Sequence, residues 1–162
     1  MASHDPTTLL RHVAAGALAG AAGTTALNAV TYLDMALRGR GTSSTPEQTV
    51  EAAAGKLGVD VPGDEETAQN RTSGLGPLLG IASGLATGAA LGAVYAVRRP
   101  PLLAGGALAA VGAMAGTDAP MAALGVTDPR SWSAADWAAD AVPHAVYGLV
   151  TAAALRLMSR GA

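Results

Sequence analysis

The apolar residues of this chain fall into four long stretches separated by polar segments. The first two stretches, residues 13–33 and 73–97, contain no charged residue. About 20 residues of helix are enough to cross the hydrocarbon layer of a bilayer. We therefore predict an all-α, polytopic membrane protein in which residues 1–162 form a single membrane domain. The four predicted membrane helices cover about residues 10–37, 73–98, 101–124 and 138–160.

Glycine recurs at every fourth position of the second apolar stretch. This glycine stripe consists of Gly76, Gly80, Gly84, Gly88 and Gly92. Residues four apart lie nearly above one another on a helix, so the stripe forms one bare face. In water each glycine would cost the helix roughly 1 kcal/mol relative to alanine. In a bilayer the helix is enforced and small residues allow close approach, so we predict that the stripe packs against a neighbouring helix.

A polar extramembrane segment, residues 39–72, joins the first two apolar stretches. Thr45 is a capping residue type and Pro46 suits the first position of a helix. We therefore predict a short helix over about residues 46–57, lying at the membrane interface. Residues 60–71 are predicted to be loop. The segment is either a lid or partner-docking arm, or simply a solvated connection.

The other connections predict how the helices are arranged. The turn from Arg98 to Pro101 is so tight that the second and third helices must be antiparallel. Pro120 predicts a kink or break near the end of the third helix. Ser133 and Asp136 have the spacing of a capping box before the fourth helix. We predict two hairpins, with the short helix in the first connection.

Two short sequence repeats relate these hairpins to each other. Residues Gly84–Leu91 resemble Gly148–Leu155, and Gly16–Ala19 recurs as Gly106–Ala109. A duplicated hairpin would produce this pattern and would make the two hairpins parallel. Chance matching between stretches rich in Gly and Ala is the alternative explanation.

Composition favours lipid over water as the surroundings of these helices. Half of the 162 residues (50%) are apolar and 14% are charged, yet Phe is absent and aromatic residues are 3%. A soluble core would lack its usual large side chains, whereas small residues suit close helix contact in a bilayer. A soluble helical protein is the weaker alternative.

The basic residues that flank the helices predict the orientation. Short segments on the side of both termini carry Arg11, Arg98, Arg99, Arg156 and Arg160. Basic residues in short segments favour the cytoplasm, and the N-terminus has no clear cleavage site. We predict a multi-pass protein of the bacterial cytoplasmic (inner) membrane, with both termini in the cytoplasm and residues 39–72 outside.

Polar residues within or close to the apolar stretches are the candidates for function. This predicted polar cluster comprises Asn28, Asp34, Asp118, Asp140, His144 and Tyr147. Helices one and three end, and helices two and four begin, at the same face of the membrane. The topology therefore gathers the cluster in the half of the bilayer next to residues 39–72. On the fourth helix Asp140, His144 and Tyr147 share one face.

Asp140 and His144 allow two interpretations. A carboxylate one turn from an imidazole holds that ring in one tautomer, as a proton relay requires, and ionisable residues within a membrane are costly to keep without a function. Alternatively, Pro143 makes Asp140 suitable as the N-cap of the fourth helix. His144 would then donate a hydrogen bond across the bundle, to Asn28 or Asp118.

The sequence offers no pattern for other chemistries. One His with two Asp is a thin ligand set for a metal, and haem would need a second His in the membrane core. No phosphate-binding loop or nucleophile elbow is present, so we predict no cofactor and no enzymatic activity. The net charge of −2 gives no reason to expect nucleic acid as a partner, and the absence of Cys excludes disulfides.

The third and fourth helices resemble the YagU-type inner-membrane proteins of bacteria. The resemblance covers roughly residues 100–160. It rests on Leu102–Ala109, Pro120-Met121, the turn Leu124–Pro129, a Trp before the fourth helix, and His144 in the first turns of that helix. The resemblance implies a small polytopic membrane protein without an assigned reaction, linked broadly to acid stress. It also implies that His144 and the Leu124–Pro129 turn are the features that this chain shares with that family.

Two functions follow as hypotheses from the sequence. The first is a non-enzymatic membrane module that packs through the glycine stripe and either self-associates or serves a larger membrane complex. The second is a proton- or cation-conducting channel or transporter that uses Asp118, Asp140 and His144. In both, the lipid bilayer is the principal partner.

Overall fold

The computed structural model describes residues 6–159 of the chain. Within that range the chain forms five α-helices, one turn of 3₁₀ helix and no strand. The helices are α1 Pro6–Arg38, α2 Thr45–Lys56, α3 Glu65–Val97, α4 Leu102–Ala123 and α5 Ala134–Met158, and the 3₁₀ turn is Pro129–Ser131. α1, α3, α4 and α5 are each long and apolar enough to cross a membrane. The predicted all-helical fold with four such helices is confirmed.

α3 begins at Glu65, within residues that were predicted to be loop. Asp64 is its N-cap, and the carboxylate accepts a hydrogen bond of 2.9 Å from the backbone N–H of Thr67. Hydrogen bonding with Thr67 lowers the pKa of the Asp64 carboxyl, because it stabilises the charged form. The loop prediction for residues 60–71 is therefore wrong from Glu65 onward.

α5 begins at Ala134, earlier than the predicted start near residue 138. The predicted capping box is confirmed, since the side chains of Ser133 and Asp136 each bond to the backbone of the other residue. The predicted end of this helix at Arg160 lies outside the described residues.

Three of the long helices contain a proline. Pro77 lies within α3, Pro120 within α4 and Pro143 within α5. The predicted break at Pro120 does not occur, because α4 continues to Ala123. In a membrane a helix tolerates proline when neighbouring groups satisfy the carbonyl that loses its donor.

The four long helices form one bundle in which α1 packs against α3 and α5, and α4 packs against α5. α3 and α4 also touch, over a smaller area. The contacts run in opposite order along each pair, so neighbouring helices are antiparallel. We call one end of the bundle the terminal end, comprising the start of α1, the Arg98–Pro101 turn and the end of α5. The opposite end, which carries α2 and the turn after α4, is the loop end.

The glycine stripe of α3 contacts α1 at three of its positions. A Cβ atom added at Gly88 would lie 2.6 Å from the Cα of Gly20 and would meet the carbonyl oxygen of Gly16. Added at Gly84 it would meet the hydroxyl of Thr24, and at Gly92 it would meet the carbonyl of His12, each closer than real atoms approach. The two backbones are therefore in direct contact, as small residues permit.

The remaining two glycines of the stripe have different surroundings. A Cβ atom at Gly76 would lie 2.8 Å from the Cβ of Pro46 in α2, whereas one at Gly80 would have nothing within 4 Å. α2 thus packs on the loop end of α3, where Val50 and Thr72 are buried. The short helix exists as predicted.

The buried core combines small side chains with four large ones, Leu91, Tyr95, Tyr147 and Leu155, while many other large apolar side chains lie on the outside. Ala19, Ala109, Ala113 and Ala152 belong to the buried core. Large apolar side chains are exposed on all four long helices, among them Leu18, Leu37, Leu78, Leu79, Val97, Leu103, Val111, Val142 and Leu157. In every long helix, at most 33% of the most apolar stretch is buried inside the bundle. This arrangement suits helices whose outer faces contact lipid.

We expect Gly88→Ala and Gly80→Ala to affect stability in opposite directions. The methyl group at residue 88 would collide with the backbone of α1 and should cost about 1–3 kcal/mol, as overpacking does. The methyl group at residue 80 meets open space and should leave stability unchanged or raise it by up to about 1 kcal/mol through helix propensity. Thermal unfolding in a mild detergent, followed by circular dichroism, measures both. Equal effects of the two substitutions would contradict the α1–α3 contact.

Candidate functional site

Asp140 and His144 lie one turn apart on α5, near the loop end of the bundle. The Nδ1 atom of His144 lies 2.9 Å from the carbonyl oxygen of Asp140 and 3.3 Å from its carboxylate oxygen Oδ1. The side chain of His144 is 12% exposed and that of Asp140 is 22% exposed. Contact with Asp140 fixes the orientation of the imidazole, as the spacing of four residues predicts.

Asp140 is not the N-cap of α5, so this part of the structural interpretation is wrong. Ser133 caps the helix, and Asp140 lies in its second turn with Pro143 accommodated inside the helix. The second carboxylate oxygen of Asp140, Oδ2, is buried and has no hydrogen-bond partner within residues 6–159. A buried polar atom without a partner is costly and calls for a reason other than capping.

Asp118 on α4 completes a group of three ionisable residues. Its charge lies close enough to those of Asp140 and His144 to interact with both. The adjacent Thr117 hydroxyl is 3.0 Å from the carbonyl of Ala113 and 3.4 Å from Oδ1 of Asp118. The structure therefore brings together Asp118, Asp140 and His144, which we call the Asp–His cluster.

Tyr147 lies one turn deeper than His144 and connects α5 to α3. Its side chain is 1% exposed, and its hydroxyl donates a hydrogen bond of 2.6 Å to the carbonyl of Gly84. Gly84 has no side chain, so the tyrosine can reach the α3 backbone. One turn further, the hydroxyl of Thr151 is fully buried and has no partner among the described residues. Thr151 stands four residues after Tyr147 and so on the same face of α5, but the sequence gives no sign that its hydroxyl is unpaired.

Asp34 and Asn28 of α1 do not join the Asp–His cluster. Asp34 forms ion pairs with Arg40 at 2.6 Å and Arg38 at 3.6 Å. It lines a cleft of about 370 Å³ between α1 and α5, near Pro143. Asn28 is half-buried in α1, and within residues 6–159 no hydrogen bond joins it to His144 or Asp118. The cross-bundle hydrogen bond expected for His144 is thus replaced by contact with Asp140.

The turn between α4 and α5 covers the loop end beside the cluster. Asp128 pairs with Arg130 at 2.9 Å, and the Arg130 guanidinium lowers the pKa of the Asp128 carboxyl. The indole N–H of Trp132 donates to the Thr127 hydroxyl at 2.9 Å. The rings of Trp132 and Trp137 meet edge to face, with centroids 4.9 Å apart. These contacts hold the turn in one conformation.

A layer of large side chains closes the bundle toward the terminal end. Leu91 and Tyr95 of α3 and Leu155 of α5 are all buried there. Between this layer and the loop end lie the hydroxyls of Tyr147 and Thr151 and then the Asp–His cluster. The Asp–His cluster lies near the loop end, Tyr147 and Thr151 lie near the middle of the bundle, and Ser159 is a buried polar residue at the terminal end.

The chemistry available to the cluster is proton exchange and electrostatic attraction. No group of three or more His, Asp or Glu side chains within residues 6–159 is arranged to hold a metal ion. The imidazole can carry a proton on either nitrogen and contacts Asp140 directly, whereas no hydrogen bond among the described residues joins Asp118 to either of them.

No family model matches the chain, and neither the curated proteins nor the solved structures contain a match. The resemblance to the YagU-type proteins therefore stays a prediction.

We expect Tyr147→Phe to destabilise the bundle by about 0.5–1.5 kcal/mol, the usual contribution of one hydrogen bond. The substitution removes only the hydroxyl that bonds to Gly84. Tyr32→Phe is the matched control, because Tyr32 is 61% exposed on α1. The melting temperatures of the two variants in detergent measure the difference. An equal loss in both would contradict the bond between α5 and α3.

Proposed function

We propose that this chain is a non-enzymatic integral membrane protein that binds and releases protons at the Asp–His cluster. It crosses the bilayer four times as two antiparallel hairpins, α1–α3 and α4–α5. α2 lies at the interface on the loop side. The outward-facing leucines and valines and the core of small residues support this membrane placement.

The observation that carries the proposal is the unpaired Oδ2 atom of Asp140. A buried carboxylate oxygen without a donor is stabilised when a proton binds to it or to its partner. His144 contacts the other oxygen, and the charge of Asp118 reaches both groups. We therefore propose that a proton is exchanged at this group of three residues.

Access to the site is one-sided in this conformation. Asp118, Asp140 and His144 lie near the loop end, whereas Leu91, Tyr95 and Leu155 are buried nearer the terminal end. Protons would enter and leave from the loop side, and passage across the bundle requires this apolar layer to open. The proposal is thus a carrier or pH-responsive site, rather than an open channel.

A proton is favoured over a metal cation as the species bound. The described residues provide no group of three metal ligands, and a monovalent cation would need several oxygens directed at one point. Cation conduction stays the alternative. The resemblance to YagU-type proteins, through His144 and the Leu124–Pro129 turn, would connect a proton site with acid stress.

The proposed location is the bacterial cytoplasmic membrane, with both termini in the cytoplasm. The described ends of the chain lie at one end of the bundle, beside Arg11 and Arg99. Unpaired basic residues in short segments favour the cytoplasmic side. The Asp–His cluster would then open toward the outer side.

The second candidate function is an accessory or self-associating module. α1 occupies Gly84, Gly88 and Gly92 within the chain, but Gly80 faces open space among exposed leucines. A second copy or a larger membrane complex would therefore use the outer face around Gly80, rather than the whole stripe.

For proton binding, we expect Asp140→Asn and Asp118→Asn each to change the titration of the protein. The test follows the infrared absorption of protonated carboxyl groups in detergent as the pH is varied. Each variant should lose one titrating carboxyl and shift the titration of the other. Asp34→Asn is the control, since Asp34 pairs with arginines outside the cluster. Independent titration of Asp118 and Asp140 would refute the shared site.

For self-association, we expect Gly80→Leu to weaken any dimer without lowering the melting temperature. The new side chain enters space that is empty in the monomer. Ala82→Leu, which is also exposed on α3, is the matched control on another face. Light scattering in mild detergent gives the mass. A wild-type monomer of 15.8 kDa, or equal effects of both variants, would rule out this face as an interface.

A further inference from the structure

The charged residues are segregated along the axis of the bundle. All acidic residues that the structure describes lie in its loop half. Of the basic residues at that end, Arg38 and Arg40 pair with Asp34 and Arg130 pairs with Asp128, whereas Lys56 and Arg71 form no ion pair within residues 6–159. At the terminal end the described charges are only basic: Arg11, Arg98, Arg99 and Arg156. No acidic side chain within residues 6–159 neutralises them. Asp5 and Arg160 lie outside the described residues.

A pocket opens at this basic end, between the start of α1, the turn before α4 and the end of α5. It has a volume of about 220 Å³ and is lined by Thr8, Arg11, His12, Ala15, Arg99, Met158 and Ser159. Arg11 and Arg99 provide charge, while Thr8 and Ser159 provide hydroxyls. Ala15 and Met158 provide an apolar wall.

We propose that this basic pocket binds a phosphate group, and that the phosphate belongs to an anionic phospholipid of the adjacent leaflet. Two arginines from different elements converge on one opening, and guanidinium groups bind phosphate through two parallel hydrogen bonds. Basic pockets between membrane helices on the cytoplasmic side are typical sites for anionic headgroups.

The size of the pocket limits what can enter it. At about 30 Å³ for each water molecule, it holds a phosphate with a glycerol group, but not acyl chains. The chains would lie outside, against the apolar surface of the helices. The site rests on the proposed membrane crossing but not on proton binding at the Asp–His cluster, which lies at the other end of the bundle.

Lipid binding can be measured on the full-length protein in a neutral detergent. The melting temperature is followed as short-chain phosphatidylglycerol is added, with phosphatidylcholine of equal chain length as the neutral reference. We expect stabilisation by phosphatidylglycerol only. Arg99→Gln should raise the concentration needed by about tenfold or more, because it removes charge-assisted hydrogen bonds from the guanidinium to the phosphate. Arg11→Gln should act similarly.

Arg98→Gln is the matched control, because it removes the same charge from the same turn but Arg98 does not line the pocket. It should change the required concentration by less than about twofold, as one exposed charge is partly screened. If Arg98→Gln and Arg99→Gln raised the required phosphatidylglycerol concentration equally, the lipid would be held by general attraction to the basic surface, and the proposed binding in the pocket would be wrong. Absence of stabilisation by phosphatidylglycerol, with none by inorganic phosphate either, would overturn the site altogether.

Inorganic phosphate distinguishes the two sources of the ligand. If it stabilises the protein at millimolar concentration and competes with phosphatidylglycerol, the pocket binds phosphate without needing the lipid. If only phosphatidylglycerol stabilises, the ligand is the lipid headgroup. The Asp140→Asn variant should bind phosphatidylglycerol as the wild type does, because Asp140 lies at the other end of the bundle. A refuted proton site would therefore leave lipid binding intact, and a refuted phosphate site would leave the carboxyl titration intact.

Discussion

The direct contact between the backbones of α1 and α3 is the constraint on which the rest of the bundle depends. Gly88 lies against Gly16 and Gly20 with no room for a Cβ atom at the crossing. Because backbone fills the α1–α3 crossing, large side chains cannot lie between these two helices, and many project outward, as Leu18 and Leu78 do. In water that surface would be a liability, whereas in lipid it is the required outer layer. The same close approach that brings α1 to α3 therefore makes the whole molecule suited to a bilayer.

The narrow centre also determines where polar groups can be accommodated. Tyr147 spans from α5 to the carbonyl of Gly84, since a glycine leaves the α3 backbone open to its hydroxyl. Toward the loop end the interior changes from alanine and glycine to Thr151, His144 and Asp140. Two of the three buried side-chain oxygens without a partner, in Thr151 and Asp140, lie along this side of α5. Unpaired polar atoms inside a bundle are costly, and the proposed proton exchange would account for the Asp140 carboxylate but not for the Thr151 hydroxyl.

The sequence predicted the four long helices and the glycine face, because hydropathy and a spacing of four are properties of single helices. It also predicted the capping box at Ser133, which is local. The partner of each glycine depended on tertiary packing, and so Gly80 could not be distinguished from Gly88. Asp140 was open to interpretation as a cap because proline is common at helix starts, yet Pro143 is tolerated inside α5. Asp34 was placed near the cluster by depth alone, but the chain after α1 folds back and brings Arg40 to it.

Because charge is segregated along the bundle, the two proposed sites lie at opposite ends, and one would determine which compartment the other faces. A basic end held at an anionic leaflet fixes the orientation of the bundle, since reversal would remove Arg11 and Arg99 from the phosphates they bind. With the proposed orientation, the Asp–His cluster lies nearer the opposite compartment than the buried layer of Leu91, Tyr95 and Leu155 does. The pH on only one side of the membrane would set the protonation of Asp140 and His144. Opening that layer would change which side the cluster reaches, so the packing of Tyr95 against Gly105 becomes the step that decides between sensing and transport.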